Sequence, residues 1–246
     1  MPKKIFLKLF PCLLILSVGC GGGGSNGPTG PGVRVVNGIS TVTEADVLSG
    51  DVVISSALPY ATLSGTPHNP YSIIPTGPQP ITFANLNTPT TPIVSTSVNI
   101  TAAQNIDAIA YDSSAPTFLQ LYDNITISST YASMRFVNAS TVTGSVDIVV
   151  VPPPGAGAQT VSTIAPGQTT PSQPSGSSAY QNYTSTGNYL VKVFPAGNDT
   201  GTPLSTATVT LTIGVTWTFI VLDPQPGTTS PVFLQVQDNT LNDIAP

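Results

Sequence analysis

Pro116-Thr117-Phe118-Leu119-Gln120-Leu121-Tyr122-Asp123-Asn124 is written a second time, as Pro231-Val232-Phe233-Leu234-Gln235-Val236-Gln237-Asp238-Asn239. Six of the nine positions agree in register, so the chain reads as a tandem of two similar modules. Working outward, Val33-Arg34-Val35-Val36-Asn37 opens the first module, and Met134-Arg135-Phe136-Val137-Asn138 opens the second 101 residues later. Asp46 and Asp147 follow at the same offset, each heading an apolar run (Val47-Leu48 and Ile148 to Val151). The repeated Arg and Asp are expected to pair within each module, Arg34 with Asp46 and Arg135 with Asp147, and to fix strand register.

Further matches lie between these ends. Pro75-Thr76-Gly77 and Ser185-Thr186-Gly187 each lead into an apolar run, which fits a Gly-led turn before a strand. Val209, Leu211 and Ile213 alternate with Thr208, Thr210 and Thr212, and Val98, Ile100 and Ala102 do the same in the first module. That period of two is a half-buried strand. Trp217 to Asp223 matches Ile106 to Asp112 as the next strand. No helical period occurs, and about seven short strands are expected per module. The predicted fold is all-β: two tandem antiparallel β-sandwiches of immunoglobulin type, residues 33–130 and 131–246. Segments 54–74 and 160–185 differ most between the copies. The second is expected to be largely an extended, mobile loop.

Composition agrees. Charged residues are 7% of the chain and hydrophobic residues 40%, so the chain is not of the disordered class. Past residue 19 only Arg34, Arg135 and Lys192 face eleven acids, a net charge of −8. Nucleic acid is excluded as a partner, since phosphate binding needs clustered Lys and Arg.

Residues 1–19 carry Lys3, Lys4 and Lys8, then the apolar stretch Leu9 to Val18, too short to span a bilayer as a helix. With Leu16-Ser17-Val18-Gly19-Cys20 this resembles the lipobox of bacterial lipoproteins. The resemblance implies a cleaved signal, lipidation of Cys20 and membrane attachment through that lipid. Residues 20–32, Gly-rich to Gly32, read as a flexible tether. Cys12 lies in the signal and Cys20 takes the lipid, so the mature modules have no disulfide and no catalytic thiol. The expected location is the bacterial cell envelope, at the outer membrane or cell surface.

Three features together carry a further resemblance: the Arg-x-Val-Asn openings, the Asp before a Val/Ile strand, and the Thr-Gly turn into Tyr189-Leu190-Val191-Lys192-Val193-Phe194-Pro195-Ala196-Gly197. With the late apolar strand they resemble the bacterial DUF4397 family, a domain of unknown function, over residues 33–127 and 133–240, better in the second copy. Its members are typically secreted or anchored, and often tandem. The resemblance implies a β-sandwich and brings no activity. Family members often have His-Ala-Ser where this chain has Asn37-Gly38-Ile39 and Asn138-Ala139-Ser140.

Candidate chemistry is sparse. Asp199-Thr200-Gly201 spells an aspartic-protease triplet, but that chemistry needs two triplets sharing a proton, and Asn87-Thr88-Pro89 lacks the Asp. A hairpin loop is the plainer reading. His68 is the only histidine; without paired ligands or a nucleophile it reads as a loop residue rather than a metal ligand or base. Asp123-Asn124 and Asp238-Asn239 could offer oxygens to calcium, yet no loop of alternating acids accompanies them, so a strand-end role is expected. The expectation is therefore no metal, no cofactor and no enzyme, the alternative being an envelope hydrolase or peptidase using Asp199 or His68. Tyr60, Tyr71, Tyr180 and Tyr183 are the candidate binding residues, as rigid amphipathic contacts on end loops; the plainer reading is that they cap the core edges. A surface polysaccharide or another envelope protein is the expected ligand class.

Overall fold

The computed structural model describes residues 31–65, 71–86, 88–102, 104–112, 114–123, 128–154, 159–174 and 178–239. The signal stretch, Cys20, the tether and His68 lie outside the described residues. Every regular element described is a strand. The first half contains β1 (Gly32–Gly38), β2 (Glu44–Ser49), β3 (Val52–Pro59), β4 (Thr62–Leu63), β5 (Ser72–Ile73), β6 (Gly77–Asn85), β7 (Thr88–Ile100), β8 (Asn105–Tyr111) and β9 (Thr117–Tyr122). The second half repeats the series as β10 (Ala132–Ala139), β11 (Val146–Val151), β12 (Gln159–Ile164), β13 (Gln168–Thr170), β14 (Gln181–Tyr183), β15 (Gly187–Pro195), β16 (Ser205–Leu211), β17 (Thr216–Leu222) and β18 (Val232–Asn239).

Each half is a sandwich of two sheets. In the first, an outer sheet ordered β3-β2-β6-β7 covers an inner sheet ordered β4-β1-β8-β9, with β5 beside β4 on the same edge of β1. The second half has β12-β11-β15-β16 outside and β13-β10-β17-β18 inside, with β14 also on β10. The all-β expectation holds. The wholly antiparallel one does not: β1 runs parallel to β8, and β10 runs parallel to β17. The chain crosses the whole outer sheet between these partners, the long connection that parallel pairing requires.

There are nine described strands per half rather than seven, and the surplus comes from the segments read as loops. Within 54–74 lie β4 and β5, and within the expected mobile loop 160–185 lie β13, β14 and most of β12. Pieces of two or three residues are too short to display a period of two, so their pairing is set by the edges of β1 and β10.

Sequence pattern separates the layers. Outer strands alternate: Thr206, Thr208 and Thr210 of β16 are exposed while Ala207, Val209 and Leu211 are buried. The central inner strands β1 and β10 are buried along their whole length. Such continuous burial means that both faces are covered. Val33, Val35, Ala45, Val47, Ile81, Phe83, Ile106 and Ala108 belong to the first core. Met134, Phe136, Ile148, Val191, Val209 and Phe219 belong to the second. A third apolar cluster, with Val36, Ile109, Leu121, Val137, Ile220, Leu222 and Val236, takes residues from both inner sheets. The two sandwiches therefore dock inner sheet to inner sheet, in four layers.

Three glycines meet real constraints. Gly77 and Gly187 turn the chain into β6 and β15 at φ +98° and +124°, which a side chain would strain. At Gly38, a Cβ would come within 2.7 Å of both the Ala110 carbonyl oxygen and Leu222 Cδ2 of the other sandwich.

Within each half, one asparagine ties the two sheets together. Asn37 Nδ2 donates to the carbonyls of Val42 (3.2 Å) and Leu58 (3.0 Å), and its Oδ1 accepts from Ile39 N. Asn138 does the same with Gly144 (2.8 Å), Ile164 (2.9 Å) and Ser140 N. Asn138→Ala should orphan these backbone groups and cost about 2–4 kcal/mol, given roughly 1–3 kcal/mol per buried group left without a partner. Denaturant unfolding of the variant against the parent checks this, and an unchanged midpoint would contradict it.

Candidate functional site

Strand alternation decides where the charges go. Val33 and Val35 point into their own core, so Arg34 between them points at the other sandwich. Asp107 stands opposite Arg34 in the β1–β8 register, and Asp123 sits just past the end of β9. In the second half the same positions hold Arg135 on β10, Thr218 opposite it on β17, and Asp238 on β18. All six side chains are buried.

These groups meet in one cluster. Arg34 Nε and Nη2 donate to the two Asp107 carboxyl oxygens at 2.6 and 2.7 Å. Arg34 Nη2 also reaches across to Asp238 at 2.6 Å and to Asp123 at 3.2 Å. Arg135 Nη2 crosses the other way, to Asp123 at 2.5 Å, and is held by Thr218 Oγ1 at 2.8 Å. Thr218 Oγ1 in turn donates to Asp238 at 2.5 Å. Each arginine thus answers an aspartate of the opposite sandwich.

Two tyrosines close the cluster. Tyr71 lies with its ring 5.0 Å from the Arg34 guanidinium carbon and donates its hydroxyl to Asp123 at 2.6 Å. Tyr180 lies 4.6 Å from the Arg135 guanidinium carbon and donates to Asp123 (2.9 Å) and Asp238 (3.2 Å). Rings over guanidinium groups add cation–π attraction where water is absent.

Burial and neighbouring charge compete at each group. For Asp123, burial pushes the pKa up, but Arg135 and Arg34 outweigh it and hold the carboxyl far below its usual range. For Asp107, burial wins over Arg34 and the pKa is raised. Asp238 is also raised by burial, against the pull of Arg34. Tyr71 and Tyr180 are raised by burial and then by Asp123, which keeps both as donors.

The three carboxylates come within 4.8 Å of one another, close enough to surround a cation. Here Arg34 and Arg135 supply the positive charge. What the geometry does is lock the orientation of two sheets.

Several sequence expectations are corrected. Arg34 does not pair with Asp46, nor Arg135 with Asp147, because both arginines face out of their own sandwich while the aspartates sit on the outer sheets. Asp46 accepts from Ala57 N at 3.0 Å, and Asp147 accepts from Thr163 Oγ1 and Gly197 N. They anchor local backbone, which is why they recur at the same offset.

None of the four tyrosines is displayed on an end loop. Tyr60, Tyr71 and Tyr183 are buried, and the Tyr180 hydroxyl points into the cluster. Tyr60 donates its hydroxyl to the Asp223 carbonyl of the other sandwich, and Tyr183 packs on Tyr189 in the second core. Asp199 is exposed in the turn between β15 and β16, as a hairpin reading requires. Asp123 and Asp238 do lie at strand ends, but their partners are arginines. Sequence reasoning missed Asp107 and Thr218. The signal was an Asp inside the apolar run Ile106 to Ala110, since a charge within a strand covered on both faces must have a partner.

Removing one member strands the others. Arg135→Met should cost about 3–5 kcal/mol, the range for breaking a buried ion pair, read as a fall in the unfolding midpoint. Tyr180→Phe keeps the ring over Arg135 but removes two hydrogen bonds to carboxyls. It should cost about 1.5–3 kcal/mol, clearly less than Tyr180→Ala in the same assay.

No curated protein matches the chain. Residues 31–149 match the family described as "Domain of unknown function (DUF4397)", a span that covers the first sandwich and runs on through β10 into β11. The match falls on the first half, although the motifs quoted above are clearer in the second. Residues 31–149 of this chain contain a DUF4397 domain.

Proposed function

We propose that the chain is a lipid-anchored protein of the bacterial cell envelope, at the outer membrane or cell surface. Its two sandwiches form one rigid block with a structural or binding role and no catalysis. On this reading the second sandwich is a second DUF4397 module. The equivalence of strands, of Arg34 with Arg135, of Asn37 with Asn138 and of Gly77 with Gly187 supports that.

The observation that carries the proposal is the use made of the charged groups. Both arginines and three of the acids are buried in the cluster between the sandwiches. Groups that an enzyme would aim at a substrate are engaged in joining two domains. The block begins at Gly32, directly after a Gly-rich stretch and the Cys20 lipobox, the order expected for display from a membrane. A surface polysaccharide or another envelope protein remains the ligand class proposed. With the four tyrosines enclosed, contact would fall to the exposed outer sheets and loop tips.

Cys20→Ser should move the protein from the membrane fraction to the soluble fraction and remove the lipid mass from its N-terminus. Retention of Cys20→Ser in the membrane would refute the anchor. In the same strain, Asp199→Asn combined with His68→Ala should leave every envelope phenotype unchanged. Loss of a hydrolytic activity with the fold intact would favour the enzyme reading.

A further inference from the structure

The corner of the interface beside Asn37 and Asn138 differs between the halves in a matched way. Gly38 of the first half corresponds to Ala139 of the second, and Tyr111 to Leu222, since both pairs hold the same register between the parallel strands. Ala61 corresponds to Gly167. Each donates its backbone N–H at 2.7 Å to the carbonyl of the equivalent asparagine, Asn37 or Asn138, and each has a positive φ, 56° and 73°. The first half therefore presents Gly38, Ala61 and Tyr111, and the second presents Ala139, Gly167 and Leu222.

Each glycine lies under a large side chain of the other half. A Cβ at Gly38 would come within 2.7 Å of Leu222 Cδ2, and a Cβ at Gly167 within 2.6 Å of the Tyr111 hydroxyl oxygen. Carbon atoms in contact rest at about 3.5–4.0 Å, so neither methyl fits. Leu222 is wholly buried, and Tyr111 is a rigid ring packed on the same apolar cluster, so neither yields without repacking the contact. Glycine stands at each place where the opposite half needs room, and alanine stands at the equivalent place where it does not.

Setting either half against a copy of itself reverses this. The reciprocal contacts relate the halves by an approximate twofold. Under it, two second halves would set Leu222 against the Ala139 methyl, and two first halves would set Tyr111 against the Ala61 methyl. Charge opposes two first halves as well, because each brings Asp107 and Asp123 against a single Arg34. Charge does not oppose two second halves, where Arg135 and Asp238 would answer each other twice over, so there the exclusion rests on shape. We propose that the docking face of each sandwich accepts only the opposite half, from its own chain or from a second copy, and rejects a copy of itself, with Gly38 and Gly167 as the residues that discriminate. Copies of the chain then associate through these faces only by exchanging unlike halves, first with second.

Light scattering and X-ray scattering of full-chain variants test the proposal. Arg34→Asp sets a carboxylate beside Asp107 and Asp123 and should open the chain, seen as a larger radius of gyration. Its mass should stay that of a monomer, since the freed second half does not pair with its like. Adding Ala139→Gly removes the excluding methyl and should double the mass. Arg135→Asp frees the first half instead. Alone it should stay monomeric, and mixed with Arg34→Asp it should give a one-to-one dimer. A dimer of Arg34→Asp alone overturns the proposal, as do a mass unchanged by Ala139→Gly and a mixture that stays monomeric. Should an arginine variant fail to fold or to open, a double-mutant cycle in the otherwise unchanged chain decides. Gly167→Ala should lower the denaturation midpoint, and Tyr111→Phe, which removes the obstructing oxygen, should restore most of the loss. Additive effects of these two substitutions would show that the contact does not discriminate and overturn the proposal.

Discussion

The reciprocal exchange of Arg34 with Asp238 and Arg135 with Asp123 is the contact on which the arrangement of the two halves depends. Apolar burial supplies most of the attraction between the inner sheets, and it is non-directional. Two faces lined with Val36, Ile109, Val137 and Ile220 could slide by a residue or rotate and still exclude water. A buried charge has no such freedom. Displaced by one strand position, Arg34 would face apolar side chains, at a cost of several kcal/mol for an uncompensated ion. Replacing such a network with hydrocarbon is often neutral in stability, so its effect here is on register, by excluding the alternatives.

This constraint accounts for the unusual inner strands. β1 and β8 lie side by side, parallel, and are covered by the outer sheet on one face and by the other sandwich on the second. A single sandwich would expose Val36, Ile109 and Leu121 with Arg34 among them. The same holds for Val137, Ile220 and Val236 around Arg135. Each half is thus complete as a sandwich core but incomplete as a surface. The contacts of Tyr60 with the Asp223 carbonyl and of Gly38 with Leu222 show how closely the halves fit away from the charges.

The sequence made the strands legible wherever one face meets water. The Thr-x-Thr alternation of β16 gave its register directly, and the glycines before β6 and β15 gave their starts. The likeness of the closing strands was legible, because Asp123 and Asp238 each answer an arginine of the other half. The pairing of charges was not legible. Arg34 and Asp46 recur together at one offset, which invites a local pair, yet recurrence records equivalent environments and not contact. Periodicity also fails for strands buried on both faces, so nothing in Val33 to Val36 announced that Arg34 faces a second domain. The tyrosines misled for a related reason. They lie beside Pro- and Ser-rich segments that read as loops, while the hydroxyls of Tyr71 and Tyr180 bond a carboxyl 50 or more residues away in the chain.

The asymmetry of the halves has its own physical logic. If both halves carried Thr at the position opposite the arginine, the two faces would be self-complementary and neutral. Either half would then fit a copy of itself as well as its partner. Asp107 removes that degeneracy. Two first halves would bring together four acids and two arginines, a worse imbalance than the three and two of the native pair. The surplus acid thus disfavours pairing between first halves of neighbouring molecules. In a chain whose described residues contain no cysteine, discrimination of this kind must come from charge and shape alone, and Asp107, at the position Thr218 holds in the other half, is where the two sides of the buried cluster differ in charge.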